Sequence, residues 1–395
     1  MYNMYINNPF RIIRLFLSKE ARDPLYVAIA NLSASIIGAI FWLIFAYITE
    51  PSIYGEVNYY ISIASVSALL SLLALDTSSV AYISKGNKDF FIEAFILELL
   101  ISIIVSVIVS VIFTNIILAL IIIGNNLFAM AIANLLGNKE YKRFSIAMII
   151  NKLIQISLSL SLYFIIGQQG VLLGYAIAYI VIATVMLSRF KIKYIKEHIM
   201  LKQLRGKIRF ILSAYTLHIS GAKLLFIDKL VIAPLFGFET LGLYQLGFQF
   251  LMFLGVIPSS LFQYLLPEEA SNVDRRLVKR LGIISSIVIA LIFFFASPFL
   301  INTFFPKYIN AIDNARIMSF GVIPMSISSI IVSSSLGKEN AKVVLFGSLA
   351  YIGSLIPLFI VLGNTFGIFG LGLSVVIALS LQTVTLLIMS RLFKV

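Results

Sequence analysis

Residues 96–113 read ILELLISIIVSVIVSVIF, eighteen positions that carry a single charge, Glu98. As an α-helix this run measures about 27 Å at 1.5 Å per residue, close to the roughly 30 Å hydrocarbon layer of a bilayer. A strand of a membrane barrel would alternate polar and apolar residues over about ten positions. Neither this run nor residues 282–295 alternates in that way, so the pattern calls for helices. The whole chain follows suit: hydrophobic residues make up 60% and charged residues 12% of it, against roughly 45–50% and 25% in a soluble domain. The reading is an all-α polytopic membrane protein.

Working outward, apolar segments fall at residues 25–48, 59–83, 93–113, 116–136, 145–166, 170–188, 210–235, 243–266, 281–303, 311–336, 343–362 and 367–390, an expectation of twelve spans. Turn chemistry separates them at Glu50-Pro51, Gly86-Asn87, Gly137-Asn138, Phe305-Pro306 and Gly363-Asn364. Lysine and arginine alternate strongly along the connections. The termini and even-numbered connections hold 25 of them, and the odd-numbered connections hold one, Lys307. The positive-inside rule then places both termini in the cytoplasm and makes the number of spans even. This distribution also explains the net charge of +13 without nucleic acid. Cysteine is absent, which removes disulfides, thiolate chemistry and cysteine metal sites.

The spans divide into an N-terminal six-helix lobe at 25–188 and a C-terminal one at 210–390. Around them lie a cytoplasmic amphipathic segment at 1–24, a basic cytoplasmic linker at 189–209 and a tail at 391–395. Phe10, Ile13, Arg14 and Leu17 give the first segment a membrane-surface face. The linker, with eight basic residues against Glu197, reads as a topology anchor on anionic lipid. The halves look like repeats. Ala46–Gly55 matches Ala233–Gly242 at a shift of 187, Leu136–Lys142 matches Leu336–Lys342 at 200, and Gly170-Val171 matches Gly367-Ile368 at 197. Even-numbered halves give parallel repeats about an axis along the membrane normal, the layout of a transporter with a central cavity.

The stretch from Phe226 through Asp228, Lys229 and Gly242 to Tyr244 resembles the seventh-helix signature of polysaccharide-biosynthesis flippases. These Wzx-type flippases belong to the multidrug/oligosaccharidyl-lipid/polysaccharide exporter superfamily. Ile53-Tyr54-Gly55, the polar first span (Asn31, Ser33, Ser35, Gly38), Pro267 and Phe304–Tyr308 resemble the same family. The resemblance implies flipping of a lipid-linked oligosaccharide across the cytoplasmic membrane for surface glycan assembly. It implies as partners the lipid-linked glycan, membrane lipids and other glycan-assembly membrane proteins.

Ionisable residues inside spans are candidates for function, because burying charge in hydrocarbon is costly. Asp76, Lys152 and His218 fall about 10–14 Å from the cytoplasmic edge, Glu98 slightly shallower and Lys223 near the midplane. Thr216, Ser220 and Lys223 share a helix face, a cationic wall suited to a phosphate or pyrophosphate. A structural ion pair of Lys223 with Asp76 or Glu98 is the alternative. Lys152 shares a face with Gln155 and Ser159, and a salt bridge to Asp76 is expected ahead of phosphate capture. His218 could relay protons or be hydrogen-bonded to a neighbour. Adjacent positions point about 100° apart, so Asp228 and Lys229 are not expected to pair, and Lys229 and Arg316 are expected to reach outward. Asp76, Asp228 and Glu98 are the candidates for ion coupling or gating. Asn31, Asn125, Asn126, Asn134, Gln245, Gln249 and Gln263 could line a sugar-accepting cavity or bond helix to helix. Pro258 and Pro324 are expected to kink spans eight and ten. No cofactor is implied, beyond a proton or sodium ion for coupling. The outer connections are short, and HExxH, acidic metal clusters and a P-loop are missing, so an enzyme is disfavoured. The second choice is a cation or drug antiporter of the same superfamily. A major-facilitator transporter is third, since Ser84–Asp89 lacks that family's glycine- and arginine-rich loop.

Overall fold

The computed structural model describes the backbone of residues 19–188, 202–220, 226–271 and 273–393, and the side chains of those residues apart from 19–22, 202 and 216–220. It is built of α-helices. We number them α1 (Lys19–Ile48), α2 (Pro51–Leu72), α3 (Leu75–Ile83), α4 (Lys88–Ile112), α5 (Ile116–Gly137), α6 (Tyr141–Ile166) and α7 (Gln168–Leu187). After the linker come α8 (Lys202–Arg205), α9 (Ile208–Ser220), α10 (Ile227–Leu254), α11 (Val256–Ala270) and α12 (Arg276–Phe304). A 3₁₀ turn at Pro306–Ala311 leads to α13 (Ile312–Ser319), α14 (Val322–Gly337) and α15 (Ala341–Leu392). Among the described residues nine helical stretches are long and apolar enough to cross a membrane, or ten if the bent pair α2–α3 counts as one. Side chains such as Val111, Phe164 and Phe295 remain 70%, 74% and 74% exposed. A lipid-facing surface accounts for such continuous apolar exposure, as expected of a multi-pass membrane protein.

Breaks within these helices occur at defined positions. Between α2 and α3 two consecutive non-glycine residues, Leu73 (φ 51°) and Ala74 (φ 56°), are left-handed, and the helix bends by 47° there. Such residues cost about 1–2 kcal/mol each, so surrounding packing must hold them. Gly237 (φ 84°) interrupts α10 and Gly367 (φ 58°) interrupts α15, so each of these long helices carries two segments. Spans eight and ten are interrupted next to Pro258 and Pro324, as expected. The breaks fall at Gly255 and at Phe320–Gly321, three to four residues before each proline, which stands in the first turn of α11 or α14, where its missing amide costs little. Pro267 lies inside α11, which runs on to Ala270.

The backbone corrects one register of the internal repeat. Left-handed residues recur at Lys139 and Glu339 and again at Gly167 and Gly367, all at a shift of 200. Gly170 therefore corresponds to Gly370, not to Gly367. A methyl group on Gly170 would stand 2.2 Å from the Leu162 carbonyl oxygen, and one on Gly370 would stand 1.9 Å from that of Leu362, again 200 apart. Matching letters favoured 197; matching backbone roles favours 200.

The chain forms two compact units. The first is residues 1–41 with Ser67–Tyr215; the second is Trp42–Val66 with Thr216–Val395. In the first, Phe90, Phe91, Ala94 and Met130 pack with Leu72, Leu75, Leu204 and Ile211, while Phe128, Ala131 and Phe144 pack with Ala30, Ile182 and Ala183. In the second, Tyr244, Tyr308 and Phe359 are fully enclosed. The hairpin Trp42–Val66 groups with the C-terminal half, so the compact units cut across the six-plus-six division drawn from sequence.

Candidate functional site

Each unit holds a buried charged centre. In the first, the left-handed break at Leu73–Ala74 starts α3, and Asp76 falls in its first turn, where the helix dipole favours an anion. Glu98 on α4 is 0% exposed and lies within electrostatic reach of Asp76. Ser102 and Asn126 flank the Glu98 carboxylate, but Ser102 donates to the Leu99 carbonyl (3.2 Å) and Asn126 to Ser71 Oγ (2.8 Å). Neither Glu98 oxygen therefore receives a well-aligned hydrogen bond. Glu98, Ser102 and Ser106 follow one another at four-residue spacing and are all buried, a thin polar stripe on an otherwise apolar helix. Glu98 and Asp76 thus bring two carboxyl groups within electrostatic reach of each other in the first unit.

Five residues before Glu98 sits a residue that sequence reasoning missed. Glu93, 4% exposed, accepts from the backbone amides of Gln203 (2.8 Å) and Leu204 (3.1 Å), and so caps α8 at the end of the basic linker. Asn87 Nδ2 adds a bond to Gln203 Oε1 at 3.2 Å. Beside this cap is an apolar cavity of about 260 Å³ between Leu73, Leu75 and Leu97 on one side and Leu204, Ile211 and Tyr215 on the other, with Arg205 at its edge. The carboxylate spacing within span three was the only available signal for Glu93.

Lys152 does not reach Asp76. Its Nζ donates to Gln155 Oε1 on its own helix at 2.8 Å, the neighbour one turn along. The backbone of Thr216, His218 and Ser220 continues α9, but their side chains lie outside the described residues, as does Lys223 altogether.

The second unit overturns the expectation for Asp228 and Lys229. Lys229 Nζ lies 3.0 and 3.1 Å from the two oxygens of Asp228, and the pair is 4% and 3% exposed. The hundred-degree argument fails because both residues stand in the first turn of α10. There Asp228 Oδ1 also takes the amide of Lys229 at 2.9 Å, and the long lysine stem curls back over it. Tyr244 hydroxyl donates to Asp228 Oδ2 at 2.9 Å, and Tyr351 lies near the same carboxylate. Lys229 sits over the rings of Phe248 (4.5 Å) and Phe226 (5.6 Å). It does not reach outward, and among the described residues it is the one buried cation. Arg316 is half-buried over Phe294 (5.3 Å), with Asp313 at 3.5 Å. Of the uncharged polar candidates, Asn126, Gln245 and Gln249 are buried.

A third feature joins the start of α2 to the middle of α10, both within the second unit. A methyl group on Gly55 would stand 1.9 Å from the Phe238 carbonyl oxygen, and one on Gly242 would stand 1.8 Å from that of Pro51. The backbones therefore touch at two glycines. Around them Tyr54 meets Tyr308 edge-on at 5.9 Å, Tyr59 meets Phe238 at 5.5 Å, and Lys307 Nζ pairs with Glu50 Oε1 at 2.9 Å.

No family model matches the chain, and no curated protein matches it in sequence. Solved structures do match in fold. The lipid II flippase MurJ in an inward closed conformation aligns with a TM-score of 0.76 at 18% identity, over 93% of this chain and 87% of its own. An inward-facing multidrug resistance MATE family transporter of the MOP superfamily aligns with a TM-score of 0.66 at 13% identity, over 92% and 93%. A MOP superfamily transporter from Pyrococcus furiosus, described by the reverse polarity of its binding pocket, aligns with a TM-score of 0.56 at 11% identity, over 94% and 92%. The chain has the fold of these transporters and flippases, and none of the three is named as an enzyme.

Proposed function

We propose that the protein is a membrane transporter that flips a lipid-linked oligosaccharide, a glycan on a polyprenyl phosphate or pyrophosphate, across the cytoplasmic membrane by alternating access. The observation that carries this reading is the alignment with a lipid II flippase over nearly the whole chain, at a higher TM-score than the drug transporter compared with it. Lys223, Lys152 and the hydroxyls of Thr216 and Ser220, with His218, are the residues assigned to the anionic headgroup. Lys229 joins them as a cation already desolvated and held by Asp228. Coupling to protons or sodium is assigned to Glu98 with Asp76, and Asp228 to a gating ion pair. Both termini face the cytoplasm, and other glycan-assembly membrane proteins act before and after it.

A cation or drug antiporter is the second reading, and the Asp76–Glu98 pair is the observation in its favour. Proteoliposomes separate the two. Vesicles holding the protein and a fluorescent polyprenyl-pyrophosphate disaccharide should expose the label to a membrane-impermeant quencher faster than protein-free vesicles do. Replacing Lys223 by Ala should slow this at least tenfold, and Lys223→Arg should slow it less. Label exposure at the protein-free rate, together with ethidium efflux driven by a proton or sodium gradient, would replace the flippase by the antiporter.

A further inference from the structure

The two glycines that touch are not an arbitrary pair. Gly55 and Gly242 are equivalent positions of the internal repeat at its shift of 187, and so are the two carbonyls they meet, Pro51 and Phe238. The turn at Glu50 and the left-handed Gly237 are equivalent as well, again 187 apart. The start of span two and the start of span eight thus cross each other by the same contact given twice, each glycine against the carbonyl four residues before its counterpart. A contact of this kind is self-complementary, like the isologous face of a twofold dimer. It closes or opens as one event, because neither glycine can leave its carbonyl while the other stays.

We propose that this reciprocal glycine clasp is the outer gate of the transporter, with Glu50–Lys307 as its latch. The inference rests on the transport reading above but names a device that reading does not contain. Three features suit a gate better than a permanent joint. The contact itself is backbone on backbone, with no side chain between the two segments. The large side chains enclosed beside it, Tyr54 and Tyr308 at 0% exposure, are amphipathic and can face water once it opens. Its ion pair is half-exposed, with Glu50 at 56% and Lys307 at 43%, and such pairs are weak enough to break each cycle. By the charge pattern this connection lies on the outer face. A methyl group at either glycine must move the opposing backbone by more than an ångström to reach ordinary C···O spacing of about 3.3–3.6 Å, and it meets a carbonyl, not a yielding side chain.

The chain's lack of cysteine supplies the test. Val57, two residues beyond Gly55 and 0% exposed, becomes the reporter as Val57→Cys. In right-side-out vesicles a membrane-impermeant maleimide should label it slowly. Adding Gly55→Ala or Gly242→Ala should speed labelling at least tenfold, and to a similar degree, because the two sites are equivalent. Either variant, folded as judged by helical content and a monodisperse profile, that leaves labelling unchanged overturns the proposal. If neither variant folds, the surface latch decides. Lys307→Glu should raise labelling about two- to fivefold, in keeping with a half-exposed pair, and the swapped pair Glu50→Lys with Lys307→Glu should restore it. No change on charge reversal would then refute the gate. The readout needs no substrate, so it stands or falls separately from the glycan assignment.

Discussion

The Asp228–Lys229 pair allows the most searching test of the energetics. Lys229→Met removes the cation and keeps most of the stem's volume against Phe248 and Phe226. Breaking a buried pair by removing one partner costs about 3–5 kcal/mol, because the other charge is left uncompensated. Here Asp228 keeps the Tyr244 hydroxyl at 2.9 Å, a charge-assisted bond of about 1.5–3 kcal/mol, so the loss belongs at the lower end, about 3 kcal/mol. Asp228→Asn leaves Lys229 over Phe248 at 4.5 Å, an interaction of about 0.5–2 kcal/mol, and should cost somewhat less, about 2 kcal/mol. With both charges gone, the cavity holds an amide bonded to Tyr244 and a thioether against two rings. The double variant should lose no more than about 2 kcal/mol, since a buried ion pair adds little over a well-packed neutral pair. The coupling energy is then about 3 kcal/mol, far above the roughly 0.3–0.5 kcal/mol of independent sites. Detergent-driven unfolding of the four purified proteins, followed by Trp42 fluorescence or far-UV circular dichroism, measures it. Additivity within about 0.5 kcal/mol, or a single-variant loss below about 1 kcal/mol, would refute the buried pair.

Glu93→Ala should uncap α8 at a cost of about 1 kcal/mol, seen as roughly fivefold faster tryptic cleavage at Arg205, while Glu93→Gln keeps an acceptor and should cleave at an intermediate rate. Gly137→Ala should destabilise by about 1–3 kcal/mol and at least as much as Gly337→Ala in the same melting assay. The added methyl meets Ile83 Cβ at 2.6 Å in the first case, an atom that no rotamer change moves, and the Ala270 backbone nitrogen at 2.9 Å in the second. Asp274, in the connection before α12, is held below the usual carboxylate range by hydrogen bonds from Arg276 and then Lys279. A lowered folded pKa contributes stability above the unfolded value of about 3.9 that is lost as pH falls through the folded one. Protection factors of residues 273–280, which divide out the pH dependence of intrinsic amide exchange, should therefore be unchanged from pH 8 to 5 and fall only below about pH 4, and Asp274→Asn should abolish that fall.

The amino-acid order alone determined the helices, because an apolar run of about 20 residues has few other ways to satisfy its backbone in a bilayer. It also held the repeat: Gly55 with Gly242 and Gly137 with Gly337 are visible as letters, and the glycine-bearing turns repeat at regular shifts. It did not hold the partners of the buried charges. The choice between Asp76 and Gln155 for Lys152, and between open lipid and Asp228 for Lys229, depends on where a helix starts and which way a long stem folds, over differences of one turn. The partner of Glu93 was unreadable for a similar reason, since its acceptor role needs the amides of a linker helix 110 residues away. Only the tertiary structure could show that equivalent glycines of the two repeats meet each other. Periodicity sets which face of a helix is small, but the close approach of two backbones is decided by everything else that packs around them.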